Sequence, residues 1–315
     1  MRQQWQMHSL PANSRQNLRV RIDPSVEISF TVLRGNGPGP AALVMAGVHG
    51  DEYEGPAAIL NLIEEIDPSQ VQGAIIFVPV ANPEAFAANA RRHPVDHGDL
   101  NRSFPGEMNG TPTQKLAHTL VSEFVAESNC ILSLHGWSKE YLVLPYAEYP
   151  AGSTEAARTS KAAAEALGFQ FLYPYDWPVG VLGNTALARG IPIVETEVGG
   201  AGTVTREGQE LYRSVILRFL DYFKILRCDK WEACEALPIF HQTISASHSG
   251  LFQSAVAVGD KVVVGQKLGV VRGLDGRLLE SAIAPCDGFV GVLRILASVR
   301  AKDHLVHVFM ERKDS

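Results

Sequence analysis

Runs of apolar residues, and the spacing of those runs, divide this chain before any single residue is considered. Residues 41–48 form a small, continuous apolar run, the pattern of a strand covered on both faces. Residues 55–67 follow with Ile59, Leu62, Ile63 and Ile66 at helical spacing. Residues 74–82, "AIIFVPVAN", give the next buried strand. Upstream, residues 18–33 read as a strand pair, closed by the turn signal "RGNGPGP".

A polar stretch without periodicity covers residues 83–110, and loops of that length in compact domains are usually functional or disordered. Thr111 then offers a capping hydroxyl before Pro112, and the expected helix buries Leu116, Leu120, Val121 and Phe124. "CILSLH" is a short strand that ends in His135, and "TEAARTSKAAAEALG" is an alanine-rich helix. "IPIVETEVGG" is a strand closed by glycines. Residues 207–226 form a long amphipathic helix with Leu211, Val215, Phe219 and Leu220 on one side. Strand and helix alternate throughout, which predicts an α/β fold: a mostly parallel twisted sheet flanked by helices.

The texture changes after Leu226. From about His241 the chain shows short, glycine-rich strands and no helical period, which predicts a small all-β, barrel-like domain. The expected division is residues 1–230, including the N-terminal strand pair, and residues 238–315, with the boundary at 228–237.

Composition narrows the function classes. Of 315 residues, 46% are apolar and 20% charged, a globular balance. A formal net charge of −6 argues against nucleic acid as a partner. The longest apolar runs are too short to span a bilayer, and the first twenty residues lack a signal-peptide core, so no membrane partner and a cytoplasmic location are expected. None of the four cysteines forms a C-x-x-C pair, which argues against a thiolate zinc site, and a disulfide framework is not expected at this size.

Three strand ends carry unusual polar residues: His49 to Glu54, His135 with Trp137 and Ser138, and Glu195 to Glu197. Each alone fits an ordinary surface loop, and a glutamate near a helix start simply suits the helix dipole. Their recurrence at the ends of strands, where open α/β sheets bind ligands, points to a site. Catalytic zinc needs three protein ligands and an open position, and His49, Glu52 and His135 suit that set. An unligated carboxylate is then needed as general base; Glu195 and Glu197 share a strand face, so periodicity does not choose between them. The stretch "NARRHPVDHGDLNRSFPG" adds Arg91, Arg92 and Arg102, a residue type suited to capturing a carboxylate or an oxyanion.

At these residues the chain resembles the succinylglutamate desuccinylase/aspartoacylase family of zinc carboxypeptidase-like hydrolases. "GVHGDEYEG", "NPEAF", "RRHPVDHGDLNRSFPG", "SLHG" and "ETEVGG" occur in the family's order. The resemblance implies one Zn2+ per chain on His49, Glu52 and His135, with Glu54 in a structural role. It implies Glu197 as general base with Glu195 in support, and Asn101 and Arg102 as the pair that holds the substrate's carboxylate. Arg92 matches the arginine that polarises the scissile carbonyl, with Arg91 beside it as the alternative. The C-terminal strands look like a biotinyl/lipoyl-type barrel, but Arg277 stands where an attachment lysine is expected. That part is expected to shape access to the site or to make homo-oligomer contacts.

The family's further substrate-reading arginine has no clean match, since Arg189 sits at a different spacing from Pro192. "EVGGAGTVT" instead resembles the branch that includes the N-acetyl-diaminobutyrate deacetylases of ectoine breakdown. The expected activity is zinc-dependent removal of a small acyl group from an N-acyl amino acid or related amine. The alternatives are a metallocarboxypeptidase or peptide amidase on the same site, and a catalytically inactive binding module.

Overall fold

A computed structural model describes residues 5–228, 231–232 and 234–312. The strands are β1 (Ser14–Arg21), β2 (Glu27–Arg34), β3 (Gly37–Ala46), β4 (Gln72–Val78), β5 (Cys130–His135), β6 (Tyr141–Pro150), β7 (Phe171–Tyr175) and β8 (Ile193–Gly200). They continue with β9 (Leu237–Ser245), β10 (Gly250–Ser254), β11 (Lys261–Val262), β12 (Lys267–Arg272), β13 (Leu278–Ile283), β14 (Gly288–Arg294), β15 (Ser298–Val299) and β16 (His304–Glu311). The helices are α1 (Glu54–Glu65), α2 (Pro83–Ala87), α3 (Pro112–Glu123), α4 (Glu155–Ala166), α5 (Leu182–Leu187) and α6 (Arg206–Tyr222).

The apolar pattern lands where expected. In α1, Ile59, Leu62 and Ile63 are buried, and α3 starts with a capping box between Thr111 and Gln114. Alternate residues of β3, β5 and β8 feed two cores. One face of the sheet packs Val44, Leu132 and Val194 against α1, α4 and α6. The other packs Met45, Ile131 and Ile193 with residues of α3 and α5.

The expected mostly parallel sheet with a separate barrel is corrected by a single 12-stranded mixed sheet, ordered β1-β2-β4-β3-β5-β8-β6-β7-β9-β16-β14-β11. Its middle is parallel, β4-β3-β5-β8, but β6 runs antiparallel to β8. The link 136–140 is too short for the crossover that a parallel strand needs, so the chain turns straight back. The C-terminal strands then join this edge. β9 pairs with β7, and β14 pairs with β6. Strands β6, β7, β9, β16 and β14 thereby close a ring around Val143, Tyr146, Phe171, Ile239, Val292 and Phe309. A second sheet, β13-β12-β10-β15, contributes Phe252, Leu268 and Val271 to a further apolar cluster with Val290 and Val308. The sequence boundary expected at 228–237 includes residues 229, 230 and 233, which lie outside the described residues. Among the described residues, no helix is long and apolar enough to cross a membrane.

Glu54 ties the first turn of α1 to the start of α6. It is buried, and it accepts hydrogen bonds from the Thr205 backbone N–H (2.9 Å) and hydroxyl (2.8 Å), Thr205 being the N-cap of α6. Glu54→Ala leaves these donors unsatisfied and should lower unfolding stability by about 1–3 kcal/mol. Urea denaturation checks this; an unchanged midpoint would contradict it.

On β9, His241 lies stacked between Tyr173 (4.2 Å) and Phe309 (4.5 Å). Burial pushes its imidazole down to about 3, so the ring is neutral in the fold while an unfolded chain protonates it. This histidine's contribution to stability is therefore complete above about pH 6.5 and is lost as pH falls from there towards 3. Between pH 7.5 and 5.5, His241→Phe should gain about 1 kcal/mol relative to the unsubstituted protein. Parallel stability curves for the two proteins would refute the assignment.

Candidate active site

Strand register builds the site. His135 on β5 pairs with Glu197 on β8, which pairs with Tyr146 on β6. One step along, Ser133 pairs with Glu195, Glu195 with Glu148, and Glu148 with Tyr173 on β7. Paired residues share a sheet face, so these are two transverse rows of polar side chains on the α3/α5 side. They lie at the carboxyl ends of the parallel strands, where the loop after β3 delivers His49 and Glu52.

Glu52 is the centre. Its Oε1 lies 2.7 Å from His49 Nδ1, and its Oε2 lies 3.1 Å from His135 Nδ1. The Gly136 N–H also donates to Oε2, at 3.2 Å. A side chain at Gly136 would bring a Cβ within 2.5 Å of the Val198 carbonyl oxygen, so glycine lets this amide reach the carboxylate. Each histidine turns its other nitrogen to a second partner. His49 Nε2 meets Asp99 Oδ1 at 3.3 Å, and His135 Nε2 meets the Ser133 hydroxyl at 3.1 Å.

The charges are coupled. Burial opposes ionisation of Glu52, but the two histidines outweigh it and hold the carboxyl well below the usual carboxylate range. Burial likewise opposes the charged form of His135, yet Glu52 raises its imidazole to about 10. The cluster thus attracts positive charge. One donor atom from each of His49, Glu52 and His135 lies within 4.8 Å of the others, so the three can hold a metal ion. A carboxylate behind His49 is the usual way to fix a ligating imidazole.

The arginines divide. Arg91 donates from Nε to Asp99 Oδ2 at 3.2 Å, and its Nη1 lies 3.7 Å from Glu52 Oε1. Arg92 is exposed and donates to the His97 carbonyl at 3.2 Å, although it too lines the cavity. Asn101 donates to Glu195 Oε2 at 3.4 Å and accepts from the Leu182 N–H at 3.0 Å. Arg102 lines the same cavity, with Nη1 on the Asn101 carbonyl at 2.6 Å. Arg189 bonds the Thr185 carbonyl instead and is not among the cavity residues.

Burial is the first cause of the raised carboxyls nearby. It pushes Glu197 well above the usual range, with Glu52 adding to it and His135 and Arg91 opposing. It raises Glu195, and it raises Glu148 to about 7 together with the charge of Glu195. Buried Glu195 Oε1 and Glu197 Oε2 have no hydrogen-bond partner among the described residues.

The cavity has a volume of about 630 Å³. Besides the residues anticipated from sequence, Tyr146, Glu148, Tyr173, Tyr175 and Trp177 line it. His241, Thr243, His304 and His307 from β9 and β16 line it as well. Sequence reasoning missed Tyr146 and Glu148 because "YLVLPYAEYP" carries two prolines and no clean alternation. Only the pairing of β6 with β8 brings Glu148 beside Glu195.

The model of the succinylglutamate desuccinylase/aspartoacylase catalytic domain matches residues 38–223. N-alpha-acetyl-L-2,4-diaminobutyric acid deacetylase of Halomonas elongata is 32% identical over 293 residues, covering 89% of this chain and 84% of that protein. The product-bound structure of the ectoine utilization protein EutE (DoeB) from Ruegeria pomeroyi has a TM-score of 0.88 at 26% identity, covering 96% of this chain and 98% of that one. The succinylglutamate desuccinylase/aspartoacylase of Rhodobacter sphaeroides has a TM-score of 0.86 at 29% identity, covering 95% and 96%.

Asp99 orients His49 and compensates Arg91 without belonging to the three-donor set. Asp99→Asn should therefore weaken metal retention about 10- to 100-fold, measured by competition with a chelator. Retention equal to that of the unsubstituted protein would remove Asp99 from this role.

Proposed function

The chain belongs to the succinylglutamate desuccinylase/aspartoacylase family, and from that premise we propose that it is a zinc-dependent amidohydrolase that removes a small acyl group from an N-acyl amino acid or related N-acyl amine. The observation that carries this reading is the position of Glu197. It is the register partner of His135, it lines the cavity, and its buried Oε2 has no hydrogen-bond partner among the described residues.

In this reading His49, Glu52 and His135 hold the zinc. Bound there, zinc would supply a Lewis acid and lower the pKa of water. Glu197 takes the proton from the attacking water and delivers it to the leaving amine. Arg91 rather than Arg92 polarises the acyl carbonyl, because its guanidinium reaches Glu52 while that of Arg92 is tied to the His97 carbonyl. Arg102, with Asn101 beside it, binds the substrate's carboxylate.

The acetyl-amino-acid deacetylase among its relatives supports this substrate class. The reading takes the location as cytoplasmic, which fits four cysteines without a C-x-x-C pair in a chain of this size.

Release of a free amine from a panel of Nα-acetyl amino acids and dipeptides tests the reading. Hydrolysis of the acetyl amino acids alone is expected, and cleavage of the dipeptides alone would favour a carboxypeptidase. Glu197→Gln should lower kcat by about 10²- to 10⁴-fold with KM nearly unchanged and metal retained. Arg91→Ala should cost about 10²-fold in kcat, against less than about tenfold for Arg92→Ala. The reverse order would return the carbonyl role to Arg92.

A further inference from the structure

Strand β16 brings two histidines to the cavity that the deacylation chemistry does not use. His304 and His307 are three residues apart, and in a regular strand such residues point to opposite faces. The pairing of β16 with β9 shifts register between His304 and Val306, and an irregularity of this kind re-aims a side chain. His304 Nδ1 and His307 Nε2 lie 3.1 Å apart, and both residues line the cavity. Their ring centroids are 5.0 Å apart, with 59° between the planes. His49 and His135, two members of the three-donor set, have nearly the same arrangement, 5.2 Å and 53°.

This spacing suits a shared cation. Two imidazole nitrogens on one tetrahedral zinc lie about 3.3–3.4 Å apart, given Zn–N distances of about 2.0–2.1 Å. His307 is also prepared as a ligand. Its Nδ1 lies 3.3 Å from the hydroxyl of Thr243, its register partner on β9. A proton held on Nδ1 by that hydroxyl leaves the Nε2 lone pair free for a metal. Burial, with His241 and His304 adding to it, pushes the His307 imidazole down to about 3, so near neutral pH this ring carries no charge to repel a cation. His304 is exposed, which leaves water access to the remaining coordination positions. Among the described residues no third histidine, cysteine or carboxylate joins the pair, and the neighbouring Asp303 is held by Arg294 at 3.2 Å. Such a site is weaker than the one around Glu52, and two imidazoles suit zinc, nickel or copper rather than magnesium or calcium.

We propose that His304 and His307 form a second, weaker transition-metal site on the cavity wall, oriented by Thr243, and that zinc bound there lowers turnover by occupying cavity volume the substrate needs. The binding half stands by itself. The effect on turnover rests on the deacylase reading above.

Equilibrium dialysis against rising free zinc, with bound metal counted by mass spectrometry, tests the site. The unsubstituted protein should take up one zinc more per chain than His304→Ala, whose exposed position tolerates truncation. Thr243→Val should weaken that additional zinc about tenfold or more while leaving the tighter one in place. His248 is another exposed histidine, 3.3 Å from Glu280, and His248→Ala should keep the additional zinc. Hydrolysis of an Nα-acetyl amino acid is followed across the same zinc series. Its kcat/KM should fall as the additional zinc binds to the unsubstituted protein, and should hold constant in His304→Ala. Equal zinc uptake by the unsubstituted protein and His304→Ala would overturn the site. Inhibition that persists in His304→Ala would overturn the effect on turnover. If none of the proteins hydrolyses the substrate, the deacylase reading and the effect on turnover fall together, while the dialysis still decides the site.

Discussion

Glu52 is a carboxylate with 4% of its surface exposed, and the rest of the site follows from compensating its charge. An isolated buried carboxylate would be strongly destabilising. Here both oxygens are engaged: one by His49, the other by His135 and the Gly136 amide. Asp99 restrains the first histidine and Ser133 the second. Such a set, two imidazoles converging on one anion with their far nitrogens fixed, is organised for a cation at its centre.

The sheet makes this arrangement rigid. His135 and Glu197 are register partners in neighbouring buried strands, so their separation is set by sheet geometry rather than by loop conformation. The same register carries Tyr146 and Glu148 into line on β6. Tyr212 of α6 donates to the His135 carbonyl from the opposite face, which ties the strand end to the helix layer. The C-terminal strands add the remaining wall by extending this sheet past β7 and β6. The fold and the cavity are therefore one construction.

Much of this was legible in the sequence. The parallel core strands and the helices α1, α3, α4 and α6 announce themselves by period, and α3 also by its cap, because each buries an apolar face. His49, Glu52, His135 and Glu197 stand out as ionisable residues at the ends of apolar runs. What the sequence hides is long-range pairing. Nothing in "YLVLPYAEYP" shows that β6 inserts between β8 and β7, so Glu148 and the aromatic residues around it were not visible as site residues. The two adjacent arginines could not be told apart by spacing either; only the turn of the loop points Arg91 towards Glu52 and Arg92 towards the His97 carbonyl. The ring of β6, β7, β9, β16 and β14 was hidden for the same reason, since strands from both parts of the chain close it.

The central claim is that the Glu52 cluster exists to hold a metal ion, and elemental analysis tests it most directly. Metal content should be measured by mass spectrometry on the purified protein and on His49→Ala, each after exposure to zinc and removal of the excess. The account predicts about one zinc per chain in the unsubstituted protein and a small fraction of that in the variant. A correctly folded protein that stays metal-free, or a variant that keeps the full amount, would contradict it.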